Sequence, residues 1–411
     1  MALTFSLCRL ARSCRYSRNS KLVQYQRIAR YHDYVRFSTP GGSARIPLNN
    51  PKVIGVANSR GNRSYQEDFY TFSALSLDPE ELRLTVKKFH GLDWDPSSIP
   101  APLARQVLFV GIYDGHGGST VSQYLRQELH GFFESAHKSH VPEMLEWAKE
   151  LGGYFRRFRG GALAPWARPE SPDAQKEMDL EARATLAFFE IDRQLAIETA
   201  AKESGATASV VLLHSLDTPV KPFFASEKLS LTVAHVGDTR VLLSMVDNGK
   251  IVPMTEHHHA DTRIEANRLR RSMGSGLILD SFGEARWMGV LENTRALGDL
   301  KYKPFGVTPE PEVRSKLIDG PEYSHITLVS DGVSSVVSDD EISDLARGAS
   351  TPRDAANRIV SFATEMQSQD NLTAIVIPLA GWGKMTGTDR TKAFREDRLT
   401  QMIGMERLQR M

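Results

Sequence analysis

The segment from Val107 to Gly118 reads VLFVGIYDGHGG, and its character changes abruptly after Tyr113. The residues up to Tyr113 are apolar or small, as is typical of a buried β-strand. One carboxylate, one histidine and three glycines follow. A hairpin turn or a dinucleotide-binding loop would explain the glycines, but neither requires Asp114 at the end of a buried strand. The rest of the chain decides between these alternatives and a third one.

Other short apolar segments also have the length and the polar boundaries of β-strands. They are residues 52–57, 69–75, 208–213, 229–236, 241–246, 325–329 and 372–378. Helical periodicity covers residues 120–135, 174–199, 338–347 and 351–366, with a capping box at Ser338 and Glu341 and an N-cap at Thr351. Strands follow one another in pairs instead of alternating with helices. This order predicts an α+β fold of antiparallel sheets covered by helices.

The N-terminal segment differs in charge from the rest of the 411-residue chain. Residues 1–32 carry seven basic residues and no acidic one, so the remainder has 44 basic against 50 acidic residues. Arg- and Ser-rich segments that lack acids and carry apolar residues at helical spacing are typical of mitochondrial targeting peptides. We therefore expect residues 1–40 to direct the protein to the mitochondrial matrix. The alternative is a disordered basic tail.

Composition also excludes several classes of function. An acidic body has no excess cations to displace counterions from nucleic acid, so no nucleic-acid partner is expected. No apolar segment is long enough for a membrane span. The two cysteines, Cys8 and Cys14, lie inside the predicted targeting peptide. A processed chain would therefore have no thiol for a disulfide, a nucleophile or a zinc site.

Acidic residues stand where several apolar segments begin or end. They are Glu67, Asp68, Asp114, Asp331 and Asp370. Burying several carboxylates together is costly unless a cation compensates their charge. For any single residue, an ordinary turn aspartate is the better interpretation. Taken as a set, the oxygens predict a site for a hard cation such as Mg²⁺ or Mn²⁺.

A specific set of motifs identifies a family. SRGNRSYQED, YDGHGG, SGATAS, HVGDTR, NTRALGD, SDG and QDN occur in the order found in metal-dependent type 2C (PPM) protein serine/threonine phosphatases. The sequence closely resembles that family from about Pro51 to Pro378, and mitochondrial fungal-type members most. The resemblance implies a four-layer α-β-β-α sandwich with a two-metal cleft at one end. We expect a catalytic domain at residues 45–380 and a polar tail at residues 381–411, either a short surface helix or disordered.

The resemblance also implies roles for the acidic residues. Asp114 would bridge two Mg²⁺ or Mn²⁺ ions, with the Gly115 carbonyl as another ligand. Asp331 and Asp370 would complete the coordination of the second ion. Glu67 and Asp68 would hold metal-bound waters. A water between two such ions loses a proton readily, and the hydroxide would attack the phosphorus directly. No phosphoenzyme is then expected.

Arg63 and His116 complete the implied catalytic set. Arg63 matches the family's phosphate-binding arginine, whose planar guanidinium binds two phosphate oxygens at once. His116 matches the general acid that protonates the leaving Ser or Thr oxygen. In isolation, Arg63 would be a surface residue and His116 a turn residue or a helix cap. The order of the seven motifs favours the functional roles.

A third metal ion is the point at which the sequence departs from the family. Asp238 in HVGDTR matches a ligand of a weaker third ion, whose other carboxylate normally lies four residues after the SDG aspartate. Here that position is Ser335, in DGVSS. Asp238 is therefore either a ligand of an incomplete third site or a structural residue.

Two other segments invite functional interpretations. The triplet His257–His259 suggests zinc, but adjacent histidines point in different directions, so we expect a surface loop near the substrate-side flap. The following Glu265 and Arg268 match a family E-x-x-R helix. Residues 149–173 contain RRFRGG, which lacks the Lys-Ser/Thr of a phosphate-binding loop. We interpret that segment as a flexible basic loop able to contact a phosphoprotein, and residues 78–103 as another insertion or loop.

The sequence thus predicts a monomeric Mg²⁺- or Mn²⁺-dependent phosphatase of phosphoserine and phosphothreonine in mitochondrial proteins. By analogy with mitochondrial family members, the pyruvate dehydrogenase complex is the candidate substrate. Two alternatives stay open. A pseudophosphatase scaffold would have lost metal-binding aspartates, and a small-molecule phosphohydrolase would use the same chemistry.

Overall fold

The structure is a computed structural model that describes residues 32–409, apart from residues 169, 171, 274–276 and 280–284. Its strands are β1 (Tyr34–Thr39), β2 (Gly42–Pro47), β3 (Gly55–Ser59), β4 (Phe69–Ser76), β5 (Gln106–His116), β6 (Gly205–Ser215), β7 (Lys228–Val236), β8 (Arg240–Met245), β9 (Ile251–Pro253), β10 (Leu277–Leu279), β11 (Ala285–Trp287), β12 (Leu297–Gly298), β13 (Glu312–Asp319), β14 (Tyr323–Val329) and β15 (Leu372–Pro378). Its α-helices are α1 (Pro79–His90), α2 (Ala101–Ala104), α3 (Thr120–Ser135), α4 (Val141–Glu150), α5 (Leu180–Leu195), α6 (Arg263–Met273), α7 (Asp331–Ser334), α8 (Asp339–Ala346), α9 (Pro352–Glu365) and α10 (Lys392–Gln409).

Two antiparallel sheets form the centre of the molecule. The first has the order β13-β7-β6-β5-β4, with β12 paired to β6, and the second has the order β3-β15-β14-β8-β9. Hairpins β1–β2 and β10–β11 are separate two-stranded sheets. The neighbouring strands pair antiparallel, as the succession of strands predicted.

Alternation along the strands divides the core into layers. On β5, Leu108 and Val110 belong to the core shared by the two sheets. Val107 and Phe109 point to the other face, where they pack with α1, α3 and α5. A third core lies between the second sheet and helices α8 and α9. The predicted four-layer α-β-β-α sandwich is therefore confirmed.

Several helix boundaries lie where the sequence predicts them, and local caps set two of them. Helix α3 has the predicted bounds, 120–135. The capping box of Ser338 and Glu341 is present at the start of α8, and the Thr351 side chain accepts a hydrogen bond from the Asp354 N–H at the start of α9. Each such cap satisfies backbone donors that a helix end leaves unpaired and contributes about 1 kcal/mol.

Two segments differ from their prediction: one was expected to be a loop or insertion, and the other to be one long helix. Residues 78–103 are not simply a loop, because Asp78 caps helix α1 and that helix buries Leu82 and Val86. The frequency of Pro and Gly hid this apolar face. The predicted helix at residues 174–199 is shorter, because Asp179 caps it and the α-helix covers only Leu180–Leu195.

The basic segment at residues 149–173 is packed, in contrast to the predicted flexible loop. It contains the 3-10 helices Gly153–Arg157 and Gly161–Trp166. Phe155, Leu163 and Trp166 are buried in a core of their own with α4 and α5. Aromatic spacing was the available signal, since these residues point inward while the arginines between them point outward.

Both ends of the described chain pack on the sandwich. Val35 of β1 is 3% exposed, and His32 and Ala74 exchange backbone hydrogen bonds of 2.8 and 2.7 Å. Strand β1 thus lies within residues 1–40, the range predicted for the targeting peptide. At the other end, α10 is anchored by Arg398, whose Nη1 lies 2.8 Å from Glu341 Oε1. Within the described residues, no helix has both the length and the apolar character needed to cross a membrane.

Candidate active site

Most of the predicted site residues line one cleft of about 330 Å³. They are Arg63, Glu67, Asp114, Gly115, His116, Asp238, Asp331 and Asp370. Asp68 is the exception, since it is buried and 3% exposed. The structure therefore brings together residues that are up to about 300 positions apart in the chain.

The aspartates of the cleft come from both sheets. Asp114 lies near the end of β5, opposite Thr207 on β6. Asp331 follows β14 and begins α7, while Asp370 precedes β15, the neighbour of β14. The backbone N–H of Asp331 donates a 3.3 Å hydrogen bond to Asp114 Oδ2. The two sheets thus meet at this edge, where a backbone amide that follows one sheet binds a carboxylate of the other.

The carboxylates are close enough to disturb one another's protonation. Asp114, Asp238 and Asp331 each offer an oxygen, and these oxygens lie within 4.8 Å of one another. Burial in the cleft and the neighbouring Asp331 charge raise the pKa of Asp114 well above its ordinary value. Burial, with the charge of Asp238, raises the pKa of Asp331 to about 7, and burial raises the pKa of Asp68 to about 6. An all-oxygen group with uncompensated negative charge fits a hard divalent cation.

Removing the Asp331 charge should stabilise the metal-free protein. Folding raises the pKa of the Asp331 carboxyl from 3.8 to about 7. Above pH 7 the ionised carboxylate therefore lowers the free energy of unfolding, and this loss becomes smaller as the pH falls toward 3.8. In chelator at about pH 7.5, we expect Asp331→Asn to raise Tm by about 2 °C or more. The wild type should gain stability between about pH 7.5 and 5.5, and the variant should gain less.

Differential scanning calorimetry checks this prediction. Asp340→Asn, which neutralises an exposed aspartate on α8, serves as the matched control and should behave as wild type. Added Mg²⁺ or Mn²⁺ should stabilise the wild type more than Asp331→Asn. A Tm of Asp331→Asn below that of the wild type in chelator would contradict the prediction.

Two polar residues with no role predicted from the sequence, Asn371 and Thr373, hold Glu67 and Asp68 in place. Asn371 Oδ1 accepts a 2.7 Å hydrogen bond from the Glu67 N–H, and its Nδ2 donates to the carbonyls of Arg60 and Tyr65 at 2.8 and 3.0 Å. Thr373 Oγ1 lies 2.8 Å from Asp68 Oδ2. Asn371 directly follows Asp370 in the QDN motif, so that motif was the available signal.

Close packing explains the glycine after Asp114. A Cβ atom on Gly115 would lie 2.5 Å from Ser122 Oγ and 2.7 Å from the Glu67 carbonyl oxygen. Only glycine fits there, with its backbone at the cleft wall. Strand β5 leads into α3 and pairs antiparallel with β4 and β6. DGHGG is therefore neither a hairpin turn nor the turn of a parallel dinucleotide-binding unit.

His116 has a buried acidic partner. Its Nε2 lies 2.7 Å from Asp299 Oδ2, and the Asp299 side chain is 1% exposed. Asp299 adopts a left-handed backbone conformation with φ of 50° and donates its N–H to the Ser204 carbonyl at 2.9 Å. Although desolvation favours the neutral ring, the charge and hydrogen bond of Asp299 raise the pKa of His116. Asp299 lies in the NTRALGD motif, and only the structure shows that it is the partner of His116.

Arg63 lies at the exposed rim of the same cleft. Its Nη2 is 2.5 Å from Asp370 Oδ2, and its side chain is 54% exposed. The guanidinium is thus held beside the aspartate group while much of it stays accessible to solvent. This position suits the recognition of an anionic group that enters from outside.

Asp238 has polar partners of its own. Asn293 Nδ2 lies 2.6 Å and His259 Nε2 3.5 Å from Asp238 Oδ2. Burial opposes ionisation of Asp238, but the nearby His259 ring and the hydrogen bond from Asn293 outweigh it and lower its pKa to about 2. Ser335 is exposed, and its hydroxyl is 3.4 Å from the Gly332 carbonyl. It adds no carboxylate that would complete a third site.

The histidine triplet lies in a loop, but this loop is partly buried, in contrast to the surface loop expected from the sequence. His258 is buried, and its Nδ1 accepts a 3.0 Å hydrogen bond from the Gly237 N–H. Glu265 ties α6 to this region through Arg295, at 2.7 Å, and through the Thr294 hydroxyl, which donates a 2.7 Å hydrogen bond to it. Arg268, which is on α6 itself, and Arg295 lower the pKa of Glu265 despite its burial. Among the described residues, the aspartate group of the cleft is the single cluster with metal-ligand geometry.

Comparison with known proteins assigns the family. The protein phosphatase 2C model matches residues 86–372. The chain is 30% identical to protein phosphatase 2C homolog 4 of Schizosaccharomyces pombe over 375 residues. This alignment covers 89% of the present chain and 91% of the relative. The chain belongs to the protein phosphatase 2C family. It is therefore a metal-dependent protein serine/threonine phosphatase, as the motifs predicted.

Other members of the protein phosphatase 2C family extend the comparison. Protein phosphatase 1K, mitochondrial, of Xenopus laevis is 27% identical over 355 residues, covering 85% of this chain and 74% of that protein. The crystal structure of a serine-threonine phosphatase 2C from Toxoplasma gondii has the same fold, with a TM-score of 0.52 and 18% identity. That match covers 79% of this chain and 94% of the Toxoplasma chain.

Proposed function

We propose that this phosphatase acts in mitochondria on phosphoserine and phosphothreonine of proteins there, with the pyruvate dehydrogenase complex as the first candidate substrate. The observation that carries the chemical part is the convergence of Arg63, His116 and the aspartates in one cleft. The alternative of a binding scaffold is not favoured, because Asp114, Asp331 and Asp370 are all present and together.

Two Mg²⁺ or Mn²⁺ ions would be held in this cleft. The proposed direct ligands are Asp114, the Gly115 carbonyl, Asp331 and Asp370. Glu67 and Asp68 would hold water molecules of these ions, and Asp238 lies beside them. When bound, such ions supply activation of water and neutralisation of phosphate charge. The high pKa values of Asp68 and Asp331 support this proposal, since a cation would relieve the charge repulsion that causes them.

The chain's own side chains perform the remaining steps. Arg63 binds the phosphoryl oxygens at the rim and orients the phosphorus toward the aspartates. His116 holds a proton for the leaving oxygen. Because Nε2 of the charged ring donates to Asp299, Nδ1 is the nitrogen that passes this proton on. Asp299 thereby keeps the ring charged and fixed in orientation.

The proposed mitochondrial location rests on the basic N-terminal segment and on the names of relatives. Two relatives, from Xenopus laevis and Oryza sativa, are named as mitochondrial. Because His32 and β1 pack on the sandwich, we propose that the removable peptide ends before His32 rather than at residue 40. Removing β1 would take Val35 out of the core and expose the apolar surface that it covers.

Mitochondria from cells lacking this protein should retain more phosphate on serine and threonine of mitochondrial proteins. Re-expressing the wild type should reverse the increase, whereas protein lacking residues 2–31 should not, despite full activity in vitro. Quantitative phosphoproteomics measures both. If the truncated protein reverses the increase as well, the proposed targeting is wrong. If phosphorylation does not change in mitochondria without the protein, the proposed site of action is wrong.

A further inference from the structure

A groove of about 840 Å³ is lined by helix α4 and the packed basic segment that follows it. The charged side chains around it are Lys149, Arg156, Arg157, Arg159, Arg168 and the single carboxylate Glu146. Leu145 and Phe158 contribute apolar surface. We refer to this surface as the basic groove. Its net charge is opposite in sign to that of the chain after residue 32.

The cations of the basic groove are not neutralised within the described part of the chain. Arg156, Arg157 and Arg159 are exposed, and none has an ion pair or a side-chain hydrogen bond to another described residue. Elsewhere the arginines Arg83 and Arg358 form ion pairs of 2.7 and 2.8 Å. An uncompensated group of cations on an acidic protein creates a local positive potential that attracts anionic partners.

A fixed scaffold presents these arginines. Phe155 packs edge-on against Phe189 of α5 with ring centroids 6.3 Å apart, and Phe158 stacks on Phe189 at 5.3 Å. Trp166 Nε1 donates a 3.0 Å hydrogen bond to the Lys176 carbonyl. Binding on such a preformed surface avoids much of the entropy cost of ordering a loop.

The scaffold is joined to the elements that flank the catalytic cleft. A Cβ atom on Gly153 would lie 2.0 Å from the Pro304 carbonyl oxygen, so the two backbones are in close contact. Pro304 belongs to the 3-10 helix Leu300–Phe305, which directly follows Asp299, the partner of His116. The Tyr154 ring lies 5.2 Å from the guanidinium carbon of Arg268 on α6.

We propose that the basic groove binds an acidic segment of the phosphoprotein substrate, at a distance from the phosphorylated residue in the cleft. This inference rests on the proposed function. The size and apolar lining of the groove suit a peptide segment better than a single phosphate group. Because the second contact makes binding bivalent, it lowers KM and leaves kcat nearly unchanged.

The test uses two phosphoserine peptides that differ only in a tethered segment, rich in Asp and Glu or in Ser and Gly. For the wild type at low salt, we expect the acidic segment to lower KM about tenfold. The triple variant Arg156→Ala, Arg157→Ala, Arg159→Ala should lose this advantage. The control Lys52→Ala, Lys228→Ala, Arg353→Ala removes equal charge from exposed positions elsewhere and should keep it.

Hydrolysis of p-nitrophenyl phosphate separates this inference from the proposed function. Unchanged kcat for this small substrate in the arginine variant shows that the fold and the catalytic cleft are intact. Absence of hydrolysis by the wild type would refute the phosphatase function itself. An equal KM for both peptides in the wild type, or a KM advantage retained in the arginine variant, would overturn the groove proposal. Arginine-dependent retention on anionic phospholipid vesicles without a peptide effect would overturn it as well.

Discussion

Asp114→Asn should lower kcat for a phosphoserine peptide by about 10³-fold or more, since a catalytic divalent ion contributes several kcal/mol of transition-state stabilisation. Asp114 belongs to the group of three aspartates, with Asp238 and Asp331, whose oxygens lie within 4.8 Å of one another. Asparagine keeps the size of the side chain but removes the charge that attracts a cation. The loss should appear with either Mg²⁺ or Mn²⁺, and chelator should reduce the wild type to a similar level.

Phosphate release under saturating metal measures this effect, and isothermal calorimetry measures the metal affinity. Asp340→Asn makes the same chemical change on the exposed side of α8 and should retain full activity. Asp114→Asn should also be folded and thermally at least as stable as wild type in chelator, because burial and neighbouring charge raise the pKa of Asp114. Activity of Asp114→Asn within tenfold of wild type would refute the central role of this aspartate.

His116→Ala should lower kcat by about 10²-fold or more when the leaving group is a serine oxygen, because general acids typically contribute that factor. The same variant should lose only a few-fold with p-nitrophenyl phosphate, whose leaving group departs without a proton. A purely structural role of His116 would lower both rates equally. The difference between the two substrates is therefore the decisive measurement.

Asp299→Asn extends this prediction to the partner of His116. Because Asp299 holds the ring through a 2.7 Å contact, the variant should show the same dependence on the leaving group with a smaller loss, about tenfold. His137→Ala removes an exposed histidine from the turn between α3 and α4 and is the control. Equal losses for the two substrates in both His116→Ala and Asp299→Asn would exclude the proton-transfer role.

Short-range signals carried the prediction of individual strands and helices, while the order of the motifs implied the four-layer sandwich. In β5, the alternation of Val107 and Phe109 with Leu108 and Val110 places residues on two faces of a sheet, and both faces proved to be buried. The capping residues of α8 and α9 lie within four positions of the groups that they bind. Such patterns are local, so a single sequence contains them in full.

In two segments the local composition predicted a loop but the structure has packed elements, and tertiary contacts explain why. Pro and Gly in residues 78–103 suggested a loop, yet α1 forms because Leu82 and Val86 find a place in the core. Similarly, RRFRGG suggested a flexible loop, but its phenylalanines pack on α5. Burial of an apolar side chain contributes about 2 kcal/mol, which outweighs a weak local preference for a turn.

The sequence by itself determined the layered fold, the family and the set of acidic residues, because motif order and strand alternation are written in consecutive residues. Only the tertiary structure decided which side chains work together. His116 and Asp299 are 183 positions apart, and Asn371 binds the Glu67 backbone across 304 positions. Such contacts depend on how two sheets and their helices pack. No local pattern specifies them, because the free energy that fixes them comes from the whole core.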